Sequence, residues 1–201
     1  MSTAFRSAAT IFAELVRAIP ESAWDGPGLG DWDLRALVGH ASRSLITVST
    51  YLRAPADRED VASPADYYVW VRDHLATADP GAIVERGRQA GRDLGADPAA
   101  AVEELLKRAL DDVAAVEDPL ITVIGGLGLR LSTYLPTRVF ELAVHGLDIA
   151  RAVGLDLTLP DDVVEEATVL AARISVRFGT ASPALLALTG RSDLPPGFSV
   201  V

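Results

Sequence analysis

From Thr3 to Ala18 the chain reads TAFRSAATIFAELVRA, with apolar side chains returning every three or four positions and Arg6 and Glu14 between them. That period predicts an amphipathic helix, and Pro20 marks its end. After the linker ESAWDGPGLG, Asp31 is the expected cap of a second helix, DWDLRALVGHASRSLITVSTYL. Its Leu34, Leu37, Val38, Ala41, Leu45 and Val48 repeat at helical spacing, and His40 sits near their edge. Three later starts share one logic. Ser63-Pro64, Asp79-Pro80 and Asp97-Pro98 each pair a capping side chain with a proline at the first helical position, where the missing N–H costs nothing. They predict helices near 64–77, 80–94 and 98–116.

The pattern then changes. Residues 119–135, PLITVIGGLGLRLSTYL, mix β-branched residues with Gly125, Gly126 and Gly128, which predicts a short hairpin or an extended crossover. GGLGLR lacks the GK[ST] ending of a phosphate loop and is read as turn chemistry. Pro136 and Thr137 are expected to open the next helix and Gly154 to end it. Leu159-Pro160-Asp161-Asp162 starts an amphipathic helix to about Phe178, and a last short helix is expected from Pro183 to Thr189. No internal repeat or low-complexity tract interrupts this series.

Within the helix that Gly154 ends, RVFELAVHGLDI places Glu141, His145 and Asp148 at spacings of four and three. At 3.6 residues per turn these side chains fall within an arc of roughly 60°, beside Arg138. Phe140, Leu142, Val144, Leu147 and Ile149 cover much of the remaining circumference, so the polar stripe is expected to face inward. A buried carboxylate and imidazole require partners. Three kinds satisfy the pattern: a closed network in which Arg138 pairs with Glu141 and His145 with Asp148, a metal ion held by Glu141 and His145, or a small anion held by Arg138. For the metal, His40 is the obvious further ligand, while His74, between charged neighbours, reads as a surface residue.

Composition narrows the function classes. The chain has 201 residues, 49% of them hydrophobic and 23% charged, enough to bury a sizeable core. A net charge of -10 opposes binding to a phosphate backbone, so nucleic acid is an unfavourable partner. There is no cysteine, hence no thiolate ligand or cysteine nucleophile, and any thiol chemistry must use a thiol from a ligand. No segment is apolar enough to span a membrane, and the amphipathic start is unlike a signal peptide. A cytoplasmic protein acting on a small molecule, as monomer or homodimer, is expected.

Two blocks carry a family resemblance. GLGDWDLRALVGHASRSL, with Trp32 and His40 eight residues apart, resembles the metal-binding second helix of the DinB-like superfamily. YLPTRVFELAVHGLDIARAVG resembles the late helix of its actinobacterial branch, named for mycothiol-dependent maleylpyruvate isomerase. WVRDHLA, RDLGADPAAAVEELL and ALTGRSDLPPGFSVV extend the likeness over most of the chain.

The resemblance implies an all-α fold: an up-down bundle of four long helices over residues 1–154, with a short β excursion, and a small helical extension, 155–201, packed on it. It also implies a His-Glu-His zinc site whose matching residues are His40, Glu141 and His145. Asp148 would then orient His145 or a ligand, and Arg138 would balance charge or bind a substrate carboxylate. The implied function is metal-dependent activation of a low-molecular-weight thiol such as mycothiol, for S-transfer or cis-trans isomerisation of a small electrophile. A non-enzymatic metal- or small-molecule-binding bundle is the alternative. Nickel or another divalent ion also suits imidazole and carboxylate ligands. The isomerase of that branch carries a C-terminal α/β domain that helps bind thiol and substrate. The residues after Gly154 are too few for it, so that domain is expected to be largely missing.

Overall fold

The computed structural model describes residues 2–75 and 79–201. Four long helices form the bundle: α1 (Thr3–Ala18), α2 (Leu34–Tyr51), α5 (Pro98–Ala114) and α6 (Leu131–Val153). Between them lie α3 (Pro64–Leu75) and α4 (Pro80–Asp93), and after them α7 (Asp161–Arg177) and α8 (Ala181–Leu188). The fold is all-α, an up-down bundle with one small β excursion.

Helix starts follow side-chain caps. Ser2, Asp79 and Asp97 accept hydrogen bonds from the backbone N–H groups of Phe5, Gly81 and Ala100, and Ser63 accepts from Asp66. Two expected starts are corrected. The cap of α2 is Asp33, whose Oδ1 accepts from Ala36 N at 2.7 Å, and not Asp31. Helix α6 begins at Leu131, five residues before Pro136, which lies inside it. Asp118 supplies the reason: its carboxylate accepts from the N–H of Ser132 at 2.7 Å and from its hydroxyl at 2.9 Å, capping α6 from across the hairpin. The last helix runs two residues earlier at its start than expected. Of the helix expected near 64–77, positions 76 and 77 lie outside the described residues.

The excursion is a hairpin of β1 (Leu120–Thr122) and β2 (Gly128–Arg130), antiparallel, with Ile121 opposite Leu129. Its turn uses positive φ at Gly125 and Gly126, 69° and 80°, a region that side chains with a Cβ disfavour. Thr122 N donates to Ala54 O and Gly128 N to Asp60 Oδ2, which ties the hairpin to the loop after α2.

The core lies between the four long helices. Phe5 and Phe12 of α1, Leu37 and Leu45 of α2, Val102 of α5 and Leu142 and Ile149 of α6 are all buried. Each such side chain contributes roughly 1.5–3 kcal/mol relative to exposure. Helix α4 lies against α2 through a glycine contact: a Cβ on Gly39 would stand 2.1 Å from the backbone nitrogen of Gly91. Only glycines allow that approach, and it occurs beside His40. Helix α7 packs on α6, α1 and α3, with Ser7 donating to Asp162 and Arg177 to Asp66.

Candidate functional site

Helices α2 and α6 bring His40, Glu141 and His145 together. One donor atom from each, two ring nitrogens and a carboxylate oxygen, can be chosen so that all lie within 4.8 Å of one another. The His40 and His145 rings meet edge to face with centroids 4.9 Å apart. Trp32 also lies against His40, ring centroids 4.5 Å apart, and is itself fixed by its indole N–H donating to Val84 O on α4. The Trp and His noted eight residues apart in sequence are thus in contact.

The helical spacing within α6 makes the rest of the site. His145 Nε2 is 3.4 Å from Glu141 Oε2 and its Nδ1 is 3.3 Å from Asp148 Oδ2, so one imidazole lies between two carboxylates, one turn away on either side. From α3, the Tyr68 hydroxyl donates to Glu141 Oε1 at 2.8 Å. Arg138 makes no ion pair among the described residues, so the Arg138–Glu141 pair allowed by their spacing does not form. Its guanidinium lies 4.7 Å from the Tyr134 ring centroid and 5.8 Å from that of Tyr67, with Nε donating to Thr137 Oγ1. His74 stays apart from this group, exposed and stacked on Trp70.

The electrostatics follow from burial and these contacts. Burial, aided by the nearby His145, depresses His40 to about 4, so it is neutral at physiological pH with a free ring lone pair. For Glu141 burial alone would raise the pKa, but the His145 hydrogen bond, the Arg138 charge and the Tyr68 hydroxyl outweigh it and lower it to about 2. Burial likewise works against a charged His145, yet its hydrogen bond to Glu141 and the charges of Glu141 and Asp148 raise it above the ordinary histidine value. Tyr68 is pushed well above the usual tyrosine range, chiefly by burial and then by Glu141, and remains a donor.

The group opens onto a cavity of about 640 Å³ whose wall includes His40, Arg43, Tyr67, Tyr68, Arg138 and Glu141. Ser199, Val200 and Val201 also line it. Sequence reasoning singled out neither the tyrosines nor Arg43. Tyr67 and Tyr68 sit in a helix whose aromatic positions look like ordinary core, and only the register of α3 against α6 distinguishes them. Arg43 follows His40 by three positions, one turn along the same face of α2, which is the signal that was present.

Two imidazoles and a carboxylate are a donor set that zinc, nickel and iron accept, and a half-buried neutral histidine beside an ionised carboxylate fits a cation. No helix among the described residues is long and apolar enough to cross a membrane. The family model described as mycothiol maleylpyruvate isomerase N-terminal domain matches residues 5–150. No curated protein and no solved structure matches the chain.

Proposed function

Because the chain belongs to the mycothiol maleylpyruvate isomerase N-terminal domain family, we propose that it is a metal-dependent enzyme that activates a low-molecular-weight thiol of the mycothiol type. In this reading the thiol is used for S-transfer to a small electrophile or for its cis-trans isomerisation. The observation that carries the reading is the convergence of His40, Glu141 and His145, of which His40 and Glu141 line a cavity large enough for a ligand. A divalent cation such as zinc, with nickel or another as alternatives, would supply there a Lewis acid that stabilises a ligand thiolate at neutral pH.

The chain's own residues do the remaining work. His40 offers a lone pair without first losing a proton, because burial keeps it neutral. Asp148 holds Nδ1 of His145, which leaves Nε2 directed at Glu141 and fixes the ring's orientation. Arg138, stacked over two tyrosines and without an ion-pair partner among the described residues, is placed to receive a substrate carboxylate. Tyr51, Val71 and Phe178 add apolar surface to the cavity wall, which lowers the local dielectric and strengthens charge interactions beside them. Cysteine is absent, which agrees with a thiol brought by the ligand. The bundle of residues 1–154 supplies the ligands, and the extension 155–201 closes part of the cavity.

A second reading, a bundle that holds a metal or small molecule without turnover, draws on the internal contacts of Glu141 and His145, which give each a protein partner already. The test is the ultraviolet thiolate absorbance of a mycothiol analogue added to saturation at neutral pH. Thiol activation predicts that absorbance rises with the zinc-loaded protein and not with His145→Ala. Unchanged absorbance with the zinc-loaded protein would overturn it, and saturable metal binding without turnover of any thiol and electrophile pair would favour the second reading.

A further inference from the structure

Helix α3 provides no member of the His-Glu-His group, yet it reaches the site through one atom. The Tyr68 side chain is 7% exposed, its ring packed edge to face on Phe140 and Tyr67 at centroid distances of 5.5 and 5.6 Å. That packing leaves the hydroxyl little freedom. Its single hydrogen has two acceptors on α6, Glu141 Oε1 at 2.8 Å and the Thr137 carbonyl at 3.4 Å, and the shorter, charge-assisted contact is the stronger.

The two oxygens of Glu141 therefore have separate tasks. Oε1 is engaged by Tyr68, and Oε2 is the one turned toward His145, 3.4 Å from Nε2. A free glutamate side chain has three rotatable bonds and could turn either oxygen, or both, toward the histidines. Here the phenol removes that choice. Its neighbour Tyr67 lines the same cavity but makes no hydrogen bond to Glu141, lying instead near Arg138.

We propose that Tyr68 is the positioning residue of this site: its hydroxyl holds Glu141 by Oε1 so that Oε2 is left facing His145. The proposal rests on the metal reading above and adds to it a group from a third helix. Its consequence is that metal affinity and ligand arrangement would depend on one phenolic oxygen outside the set of His40, Glu141 and His145. Hydrogen-bonding partners of ligating side chains typically govern metal affinity by 10–100-fold.

The test compares Tyr68→Phe with Tyr67→Phe and the wild-type protein. Tyr68→Phe keeps the ring and its packing, and circular dichroism with thermal unfolding verifies the fold. Zinc affinity is measured by competition with a chromophoric chelator, and the visible absorption of the cobalt-substituted proteins reports the ligand arrangement. The expected result is roughly 10–100-fold weaker zinc binding and an altered cobalt spectrum in Tyr68→Phe, with Tyr67→Phe close to wild type in both. A role in packing alone would move the unfolding temperature and leave both metal readouts unchanged. Wild-type affinity and spectrum in a folded Tyr68→Phe would overturn this proposal and leave the metal reading standing. Failure of the wild-type protein to bind zinc or cobalt would overturn both.

Discussion

The imidazole of His40 on α2 meets that of His145 on α6 edge to face, with ring centroids 4.9 Å apart, and the two are driven toward opposite protonation states. Burial and then His145 depress His40 to about 4, whereas Glu141 and Asp148 outweigh burial and raise His145. Two imidazolium charges at this separation would repel, so the pair shares its charge unequally.

Acid stability exposes that inequality. His40 has a folded value below its unfolded one, so its contribution is fully present above about pH 6.5 and is lost as pH falls toward 4. His145 has the opposite sign: its contribution is present below the ordinary histidine value and lost as pH rises through its raised one. In metal-free protein, lowering pH from about 7 to about 4 should cost the wild type of order 2–3 kcal/mol more than His40→Ala. Denaturant unfolding at a series of pH values measures the difference. Parallel pH profiles for the two proteins would contradict a neutral, half-buried His40.

Arg138 has two tyrosine faces against it and no carboxylate paired with it among the described residues. If its guanidinium receives a substrate carboxylate, Arg138→Met should weaken binding of a small carboxylate such as benzoate by roughly 10–100-fold, the equivalent of one charge-assisted hydrogen-bonding pair. Arg138→Lys should recover little, because an ammonium lacks the planar fork. Calorimetric titration of the zinc-loaded proteins decides this, and equal affinities would remove Arg138 from the binding surface.

Gly39 sets how closely α4 approaches α2. A Cβ there would meet Gly91 N at 2.1 Å and the Ala90 carbonyl carbon at 2.5 Å, and both are backbone atoms that no rotamer change can move. Gly39→Ala should destabilise by about 3 kcal/mol or more and lower the unfolding temperature by about 6–12 °C. Because His40 is the next residue, metal affinity should fall with it. A variant as stable as the wild type would show that the two helices do not pack this closely.

The sequence foreshadowed these features unevenly, for physical reasons. Apolar periodicity and the Ser/Asp-Pro pairs are local signals, and they located α1, α3, α4 and α5 within about two residues at most of their described ends. Glu141, His145 and Asp148 were legible as one stripe because a helix brings positions three and four apart onto one face. His40 joined that stripe as the remaining core-facing histidine of three, and the family resemblance matched it to the same site, although nothing local relates α2 to α6. The start of α6 was misplaced because its cap, Asp118, lies on the far side of the hairpin, and Pro136 offered a closer, false signal. Tyr68 was invisible for a similar reason: its hydrogen bond spans α3 and α6, and a tyrosine among apolar neighbours has the same pattern whether or not its hydroxyl reaches a carboxylate.

The most direct test of the account is the metal content of the purified, untagged protein, measured by elemental analysis beside His40→Ala. The account predicts about one zinc, nickel or similar divalent ion per chain in the wild type and its loss in the variant, with the helical fold retained in both. No metal in either protein, even after reconstitution with zinc or nickel, would contradict it and leave His40, Glu141 and His145 as a half-buried polar network.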